Sequence, residues 1–384
     1  MAEWIECSIG DLCNTISDTY KGNDEYVVLV NTSDVLEGKV LNHEPVVNKN
    51  LKGQFKKTFK KNDILYSEIR PANKRFAYID FENTSNYIAS TKLMVLRHND
   101  KVLPEYLFAL LKSNYVIAEL QHLAETRSGT FPQITFSSEL APMKVLLPDK
   151  DTQKRIVSVL SSIELKIDEN IAINNNLEQQ ALAIYQQMFV DNPSPEWKEG
   201  TLSDIADITM GQSPSGSSYN EESNGTIFFQ GRAEFGFRFP TVRLFTTEPK
   251  RMACANDTLI SVRAPVGDLN VAHTDCCIGR GLAAIHSKTN HQSFVLYTMF
   301  SLKKQLDVFN GEGTVFGSIN RNSLNEMPIL IPSDEKLDEF EGIVAPMDTA
   351  IRNNYDETCR LDKIRNSLLP KLMSGELDIS DIDL

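Results

Sequence analysis

The stretch Gly129–Pro148 reads GTFPQITFSSELAPMKVLLP, and Gly313–Pro332 reads GTVFGSINRNSLNEMPILIP. At a constant offset of 184 residues, Gly129/Gly313, Thr130/Thr314, Leu140/Leu324, Met143/Met327 and Pro148/Pro332 coincide. The echo extends toward the N-terminal side of both. EWIECSIGDL at Glu3–Leu12 returns as EWKEGTLSDI at Glu196–Ile205, and NDILYSEIRP at Asn62–Pro71 returns as NDTLISVRAP at Asn256–Pro265. Three matches in one order, at offsets of 193, 194 and 184, indicate two homologous halves whose loops differ by a few residues.

At 384 residues and 41% hydrophobic content, each half is large enough to bury its own core. No apolar run approaches the roughly 18 residues that span a bilayer, and the acidic start MAEWIECSIGD lacks the regions of a signal peptide, so residence in the cytoplasm is expected. Cys7, Cys13, Cys254, Cys276, Cys277 and Cys359 form no C-x-x-C pair and no Cys/His cluster at zinc spacing, which predicts reduced packing thiols and no metal site.

The net charge of -13 argues against nucleic acid only until it is divided along the chain. Ten of the 13 excess negative charges lie in residues 151–195 and 333–384, which leaves the repeated parts nearly neutral and able to carry a basic face. In the first half KNLKGQFKKTFKK and RPANKRF supply Lys56, Lys57, Lys60, Lys61, Arg70, Lys74 and Arg75, interleaved with Phe55 and Phe59. The second half favours arginine: Arg232, Arg238, Arg243, Arg263, Arg280 and Arg321. These 13 side chains are the expected DNA contacts, the lysines on phosphates and the planar arginines on guanine. Solvated strand-and-turn faces are the bland reading of such runs, and Arg263 and Arg280 equally suit ion pairs at the edge of a core.

Between the repeated parts the chain changes character. From Thr152 it reads TQKRIVSVLSSIELKIDENIAINNNLEQQALAIYQQMF, without Gly or Pro. Ile156, Leu160, Ile163, Ile167, Asn170, Asn174, Leu177, Ala181, Ile184 and Met188 fall at alternating steps of four and three, the 3.5-residue period of a coiled coil. Adding 184 gives Phe340, Val344, Met347, Ile351, Asn354, Thr358, Leu361, Arg365, Leu368 and Leu372, the same stripe with a lapse at Arg365. If each helix starts at one repeated part and ends at the other, the two run antiparallel, with Asn174 facing Asn354 and Asn170 facing Thr358 in a polar middle layer. EYVVLV, KLMVLR, TLISVR and GLAAIH read as strands, while PEYLFALLKSNYVIAELQHLA and SFVLYTMFSLKKQLDVF read as helices. The expected fold is α+β: two homologous mixed α/β domains, residues 1–150 and 191–332, alternating with two helical segments, 151–190 and 333–384. The helices form an antiparallel coiled coil and the whole has pseudo-twofold symmetry. DNPSPEW at Asp191–Trp197 marks the boundary between halves.

With these residues in place, the chain resembles the DNA-specificity subunit of a Type I restriction-modification system along essentially all of its length. KVLLPDKDTQKRIVSVLSSIELKID at Lys144–Asp168, PILIPSDEKLDEFEGIVAPMDTAI at Pro328–Ile351 and LLPKLMSGELDI at Leu368–Ile379 are similar to that family's conserved segments. Thr152 replaces the usual Glu before Gln153, and no Gln opens the second helix. The resemblance implies two target-recognition domains, each reading one half of a bipartite double-stranded DNA site. It implies a chain that is not itself an enzyme and docks two methyltransferase and two restriction subunits, with S-adenosylmethionine, ATP and Mg on those partners and no cofactor here.

The residues agree that catalysis lies elsewhere. There is no G-x-x-x-x-G-K-[ST] loop and no H-E-x-x-H. Asn192-Pro193-Ser194-Pro195 is an interrupted version of an amino-methyltransferase motif and sits in a linker. Asp63, Glu68 and Arg70 faintly suggest a nuclease carboxylate pair, but a strand carrying a structural Asp turn is the preferred account. The alternative from another class is a catalytic nuclease or methyltransferase with duplicated DNA-binding domains; a protein scaffold that never touches DNA is a third.

Overall fold

The computed structural model describes residues 4–49, 51, 53–126, 132–311 and 317–377. The echoed pairs Gly129/Gly313 and Thr130/Thr314 lie outside the described residues. The chain divides into two compact units, Met1–Glu169 with Glu357–Leu384, and Asn170–Asp356.

In the first unit, Trp4–Ser8 pairs antiparallel with Lys144–Pro148. One sheet has the order Cys13–Ile16, Leu93–His98, Ile64–Ser67, Phe76–Tyr78; a second runs Pro45–Val47, Tyr26–Val30, Tyr87–Ser90, Phe55–Lys57, with a parallel central pair. Helices Pro104–Leu111 and Asn114–Thr126 follow.

The second unit repeats this plan. Lys198–Thr201 pairs with Pro328–Ile331. Its first sheet is Ala206–Met210, Leu282–Ser287, Thr258–Ser261, Leu269–Val271. Its second is Tyr219–Asn220, Leu244–Thr246, Thr226–Phe229, Cys276–Ile278, Met252–Ala253, again with one parallel pair.

A period of two explains why the central strand of each first sheet reads as an unbroken apolar run. Met94 and Leu96 enter one core with Tyr106 and Leu110, whereas Leu93 and Val95 enter another with Val28, Val30 and Ala89. Ala283 and Ile285, against Leu282 and Ala284, divide in the same way. A strand with two buried faces has no polar side to alternate with.

The repeated Asn-Asp is a backbone device. Asn62 and Asn256 both have positive φ, 69° and 75°, a conformation asparagine tolerates better than most residues. The following Asp then accepts from a backbone N–H three residues back, Lys60 N to Asp63 Oδ2 and Cys254 N to Asp257 Oδ2, each at 2.8 Å. Its other oxygen takes a cation-forming side chain from the neighbouring strand: Arg97 Nε at 2.7 Å from Asp63 Oδ1, and His286 Nδ1 at 2.6 Å from Asp257 Oδ1.

The long helices are Lys150–Tyr185 and Asp334–Ser374. In the second unit they run antiparallel: the Asn170 amide lies 3.5 Å from the Asn354 carbonyl, the Asn174 amide 3.2 Å from that of Ile351. In the first, Lys166 pairs with Glu357, while Ile156 and Leu160 share a core with Leu369 and Leu372. Along the predicted stripe, Ile156, Leu160, Ile167, Asn170, Asn174, Val344 and Ile351 are buried; Ile163, Leu177, Ile184, Met347, Asn354, Thr358, Leu361 and Leu368 are half-buried.

The missing glutamine of the second helix has a substitute one turn on. Gln153 is fully buried, accepting from Leu103 N at 2.9 Å at the start of helix Pro104–Leu111, and donating to the carbonyls of Lys101 and Pro148. In the second unit Glu341 serves helix Gln292–Ser301, taking the N–H groups of Ser293 at 3.0 Å and Phe294 at 3.3 Å. Both satisfy amides that a helix start leaves without intrahelical partners.

Candidate nucleic-acid interface

Sequence places seven cations of the first unit in one class; their partners divide them. Phe55–Lys57 is the edge strand of its sheet, and Lys56 on it is exposed, as is Lys60 beyond it; neither has an ion-pair partner among the described residues. Lys57 turns inward, its Nζ donating to the Leu93 carbonyl at 2.8 Å, and burial holds its pKa below that of a free lysine. Lys61 pairs with Glu82 at 2.7 Å and Lys74 with Glu37 at 3.1 Å, all four side chains well exposed. Exposed pairs of this kind are worth little and open readily to a phosphate. Arg75 Nη1 donates to the carbonyls of Ser33 at 3.0 Å and Val35 at 3.3 Å, so it braces a loop. Arg70, exposed at φ 46°, opens the short turn Pro71–Asn73, and its guanidinium has no ion-pair partner among the described residues.

In the second unit Arg232 is bound to Asp268 at 2.9 Å, and Arg243 lies between Glu221 at 3.6 Å and Glu234 at 3.3 Å. Arg263, Arg280 and Arg321 are exposed and have no ion-pair partner among the described residues. Arg280 stands on a connection between strands Cys276–Ile278 and Leu282–Ser287 that has no room to yield. A side chain at Gly279 would come within 2.8 Å of the Gln230 carbonyl, and one at Gly211 within 2.2 Å of that of Gly279. The backbone N–H of Arg280 is fixed on Ser213 Oγ at 3.2 Å.

Arg238 departs from the expectation. Its side chain is 4% exposed, 3.2 Å from Glu178 and 3.4 Å from Asp348, and no phosphate or base can reach it. Sequence reasoning grouped it with its exposed neighbours because GRAEFGFRF spaces its arginines like a basic loop. Lys92 was missed in the other direction. It occupies the corresponding connection between Tyr87–Ser90 and Leu93–His98, exposed, 3.7 Å from Glu68. A lone lysine in a strand-like run gives no clustering signal.

The suspected carboxylate pair does not converge. Asp63 is fully buried and committed to Arg97 through two 2.7 Å contacts, while Glu68 accepts from Gln133 at 2.9 Å. Among the described residues, no group of three His, Cys, Asp or Glu side chains gathers as a metal ion requires, and no helix is long and apolar enough to cross a membrane.

Comparison with known proteins gives a consistent picture. The family model described as Type I restriction modification DNA specificity domain matches twice, over residues 1–179 and 195–355. The chain is 30% identical to the Type I restriction enzyme HindI specificity subunit of Haemophilus influenzae, covering 98% of this chain and 100% of that one. It is 23% identical to the MjaIX specificity subunit of Methanocaldococcus jannaschii over 74% of this chain and 71% of the relative. Among solved structures, the Type I restriction-modification S subunit from M. genitalium superposes with a TM-score of 0.58 at 16% identity, over 99% of this chain and 97% of that one, a likeness of fold.

Proposed function

Because the chain belongs to the family of Type I restriction-modification DNA-specificity subunits, we propose that each of its two units reads one half of a bipartite duplex target. The observation that carries this is duplication of the scaffold with divergence of what it displays. The same strand order and the same Asn-Asp turn recur in both units, yet among the cations expected to meet DNA those without an ion-pair partner among the described residues are Lys56, Lys60 and Arg70 in one and Arg263, Arg280 and Arg321 in the other. Bases are read by side chains presented to the groove, and phosphates by cations that need no fixed geometry. One scaffold with two displays suits a target whose halves differ.

The chain itself is non-catalytic in this reading. The two long helices offer two equivalent docking surfaces for two methyltransferase subunits and, with them, two restriction subunits. S-adenosylmethionine, ATP and Mg belong on those partners, and the complex works in the cytoplasm on the host's DNA. The test is methylome sequencing of the host with and without the gene. Loss of methylation at one bipartite motif is the expected result. An unchanged methylome, or tight S-adenosylmethionine binding by the purified chain alone, would overturn the reading.

A further inference from the structure

The buried Arg238 ties the recognition part of the second unit to both long helices. Its Nη2 lies 3.2 Å from Glu178 on the first helix, and its Nη1 3.4 Å from Asp348 on the second. The same guanidinium donates to the Tyr297 hydroxyl at 3.1 Å and stacks 5.7 Å from that ring, and Tyr297 in turn donates to Asp348 at 2.9 Å. The segment around it is held on the recognition side too. The Arg238 carbonyl accepts from Val271 N at 2.8 Å and the Gly236 carbonyl from the Asn270 amide at 2.9 Å, while Phe239 packs on His273 and Tyr355.

This cluster is poorly made for stability alone. Buried ion pairs rarely exceed a well-packed apolar replacement in worth. Arg238 Nε and Nη1 have no hydrogen-bond partner among the described residues, and a cavity of about 190 Å³ borders Arg238, Asp348, Glu341 and Arg352. What a charged cluster supplies instead is direction, since a planar guanidinium set against two carboxylates accepts few poses. The first unit solves the corresponding contact differently. Glu164, 184 residues before Asp348, takes Lys112 from the end of helix Pro104–Leu111, and Lys112 lies over Phe108. That cation belongs to a supporting helix, so it does not clamp a recognition loop.

We propose that Arg238 is a positioning residue: it fixes the pose of the second recognition part on the helix pair and thereby sharpens the choice of spacer length between half-sites. The proposal rests on the bipartite-target reading above. It predicts an effect on spacing with no effect on which bases are read, because Arg238 itself is out of reach of DNA.

The experiment uses the full chain assembled with its methyltransferase subunits, on duplexes carrying the native motif and on the same motif with the spacer one base pair longer or shorter. Arg238→Met combined with Glu178→Gln and Asp348→Asn removes the clamp without stranding a buried charge. The expected result is that preference for the native spacer falls by roughly tenfold or more, as misplacement of a reacting base does, while preference among bases in each half-site is retained. Arg238→Lys, which keeps the charge but loses the fork, should restore part of the spacer preference. If the triple variant does not fold, Arg238→Lys alone decides, through a measurable loss of spacer preference at native base preference. Undiminished spacer preference overturns the proposal, as does a proportional loss on every duplex, which marks a merely structural residue. If the wild-type complex methylates no bipartite duplex, the functional reading fails instead.

Discussion

Asn354 Nδ2 donates to Asn174 Oδ1 at 2.9 Å, and the Asn174 amide passes its own hydrogen bond to the Ile351 carbonyl at 3.2 Å. Two asparagines on the apolar stripes of neighbouring antiparallel helices thus satisfy one another. An asparagine at such a position lowers stability and penalises registers in which it would face a hydrocarbon. In a double-mutant cycle with Asn174→Leu and Asn354→Leu, the single changes should cost more than the pair. The coupling should be about 1 kcal/mol, the net worth of one intramolecular hydrogen bond, read by denaturant unfolding. A coupling of zero would show that the contact does not form.

Asp63 should behave as a structural residue. Its carboxylate is fully buried and grips Arg97 through both oxygens, so Asp63→Ala strands a guanidinium and should cost about 3–5 kcal/mol of stability. Asp257→Ala should cost less, because its partner His286 is 55% exposed and can turn to water. Equal losses in denaturant unfolding would contradict the difference in burial.

For DNA, the division between free and committed lysines gives a sharper test than the whole cluster. Lys56→Ala with Lys60→Ala should reduce the slope of log affinity against log salt by about 0.9 for each phosphate that is no longer neutralised. Lys57→Ala should leave the slope unchanged, since its ammonium is spent on the Leu93 carbonyl. If Lys57→Ala flattens the slope and the other pair does not, the interface lies elsewhere.

Two equivalent turns lend acid sensitivity of known sign. Asp11 accepts from the hydroxyl and N–H of Ser8, and Asp204 from the N–H and hydroxyl of Thr201, and these bonds hold both carboxyls below the ordinary aspartate value. A folded-state pKa below the unfolded one means stability that is present above about pH 4 and lost as pH falls through the folded value. Ser8→Ala should raise the titration midpoint of Asp11 in an NMR titration while leaving Asp204 unmoved, and Thr201→Ala should do the reverse.

How much of this was legible depended on how local the cause is. The duplication, the helix stripes and the Asn174/Asn354 layer follow from spacing in the chain, because a 3.5-residue period puts those residues on one seam whatever surrounds them. The Asn170 amide reaches the Asn354 carbonyl at 3.5 Å, a bond to backbone that side-chain spacing does not encode. The cations were the least legible. Whether an arginine is a ligand for DNA or for a buried carboxylate depends on partners far along the chain: Arg238 meets Glu178 and Asp348 across 60 and 110 residues. Nothing in GRAEFGFRF distinguishes it from Arg232 or Arg243.

Glu341, at the start of helix Gln292–Ser301, responds to pH with the opposite sign. Burial pushes its carboxyl above the ordinary glutamate value, against the lowering effect of the Ser293 and Phe294 N–H bonds. A raised folded-state pKa in an acid means that the folded form holds its proton more tightly. Stability then declines as pH rises from the unfolded value, about 4.3, through the folded one. Glu341→Gln removes the charge and keeps one of the two oxygens, so one N–H retains its acceptor while the other faces the new amide NH2; it should cost less than Glu341→Ala at pH 7 and should flatten stability between pH 4 and 7. Glu341→Ala removes the acceptor as well, leaves both amides without their partner, and should cost about 1–3 kcal/mol, as should Gln153→Ala at the start of helix Pro104–Leu111. Unfolding curves of the three variants across that pH range provide the measurement, and a Glu341→Gln variant as unstable as Glu341→Ala would show that the negative charge itself holds the helix.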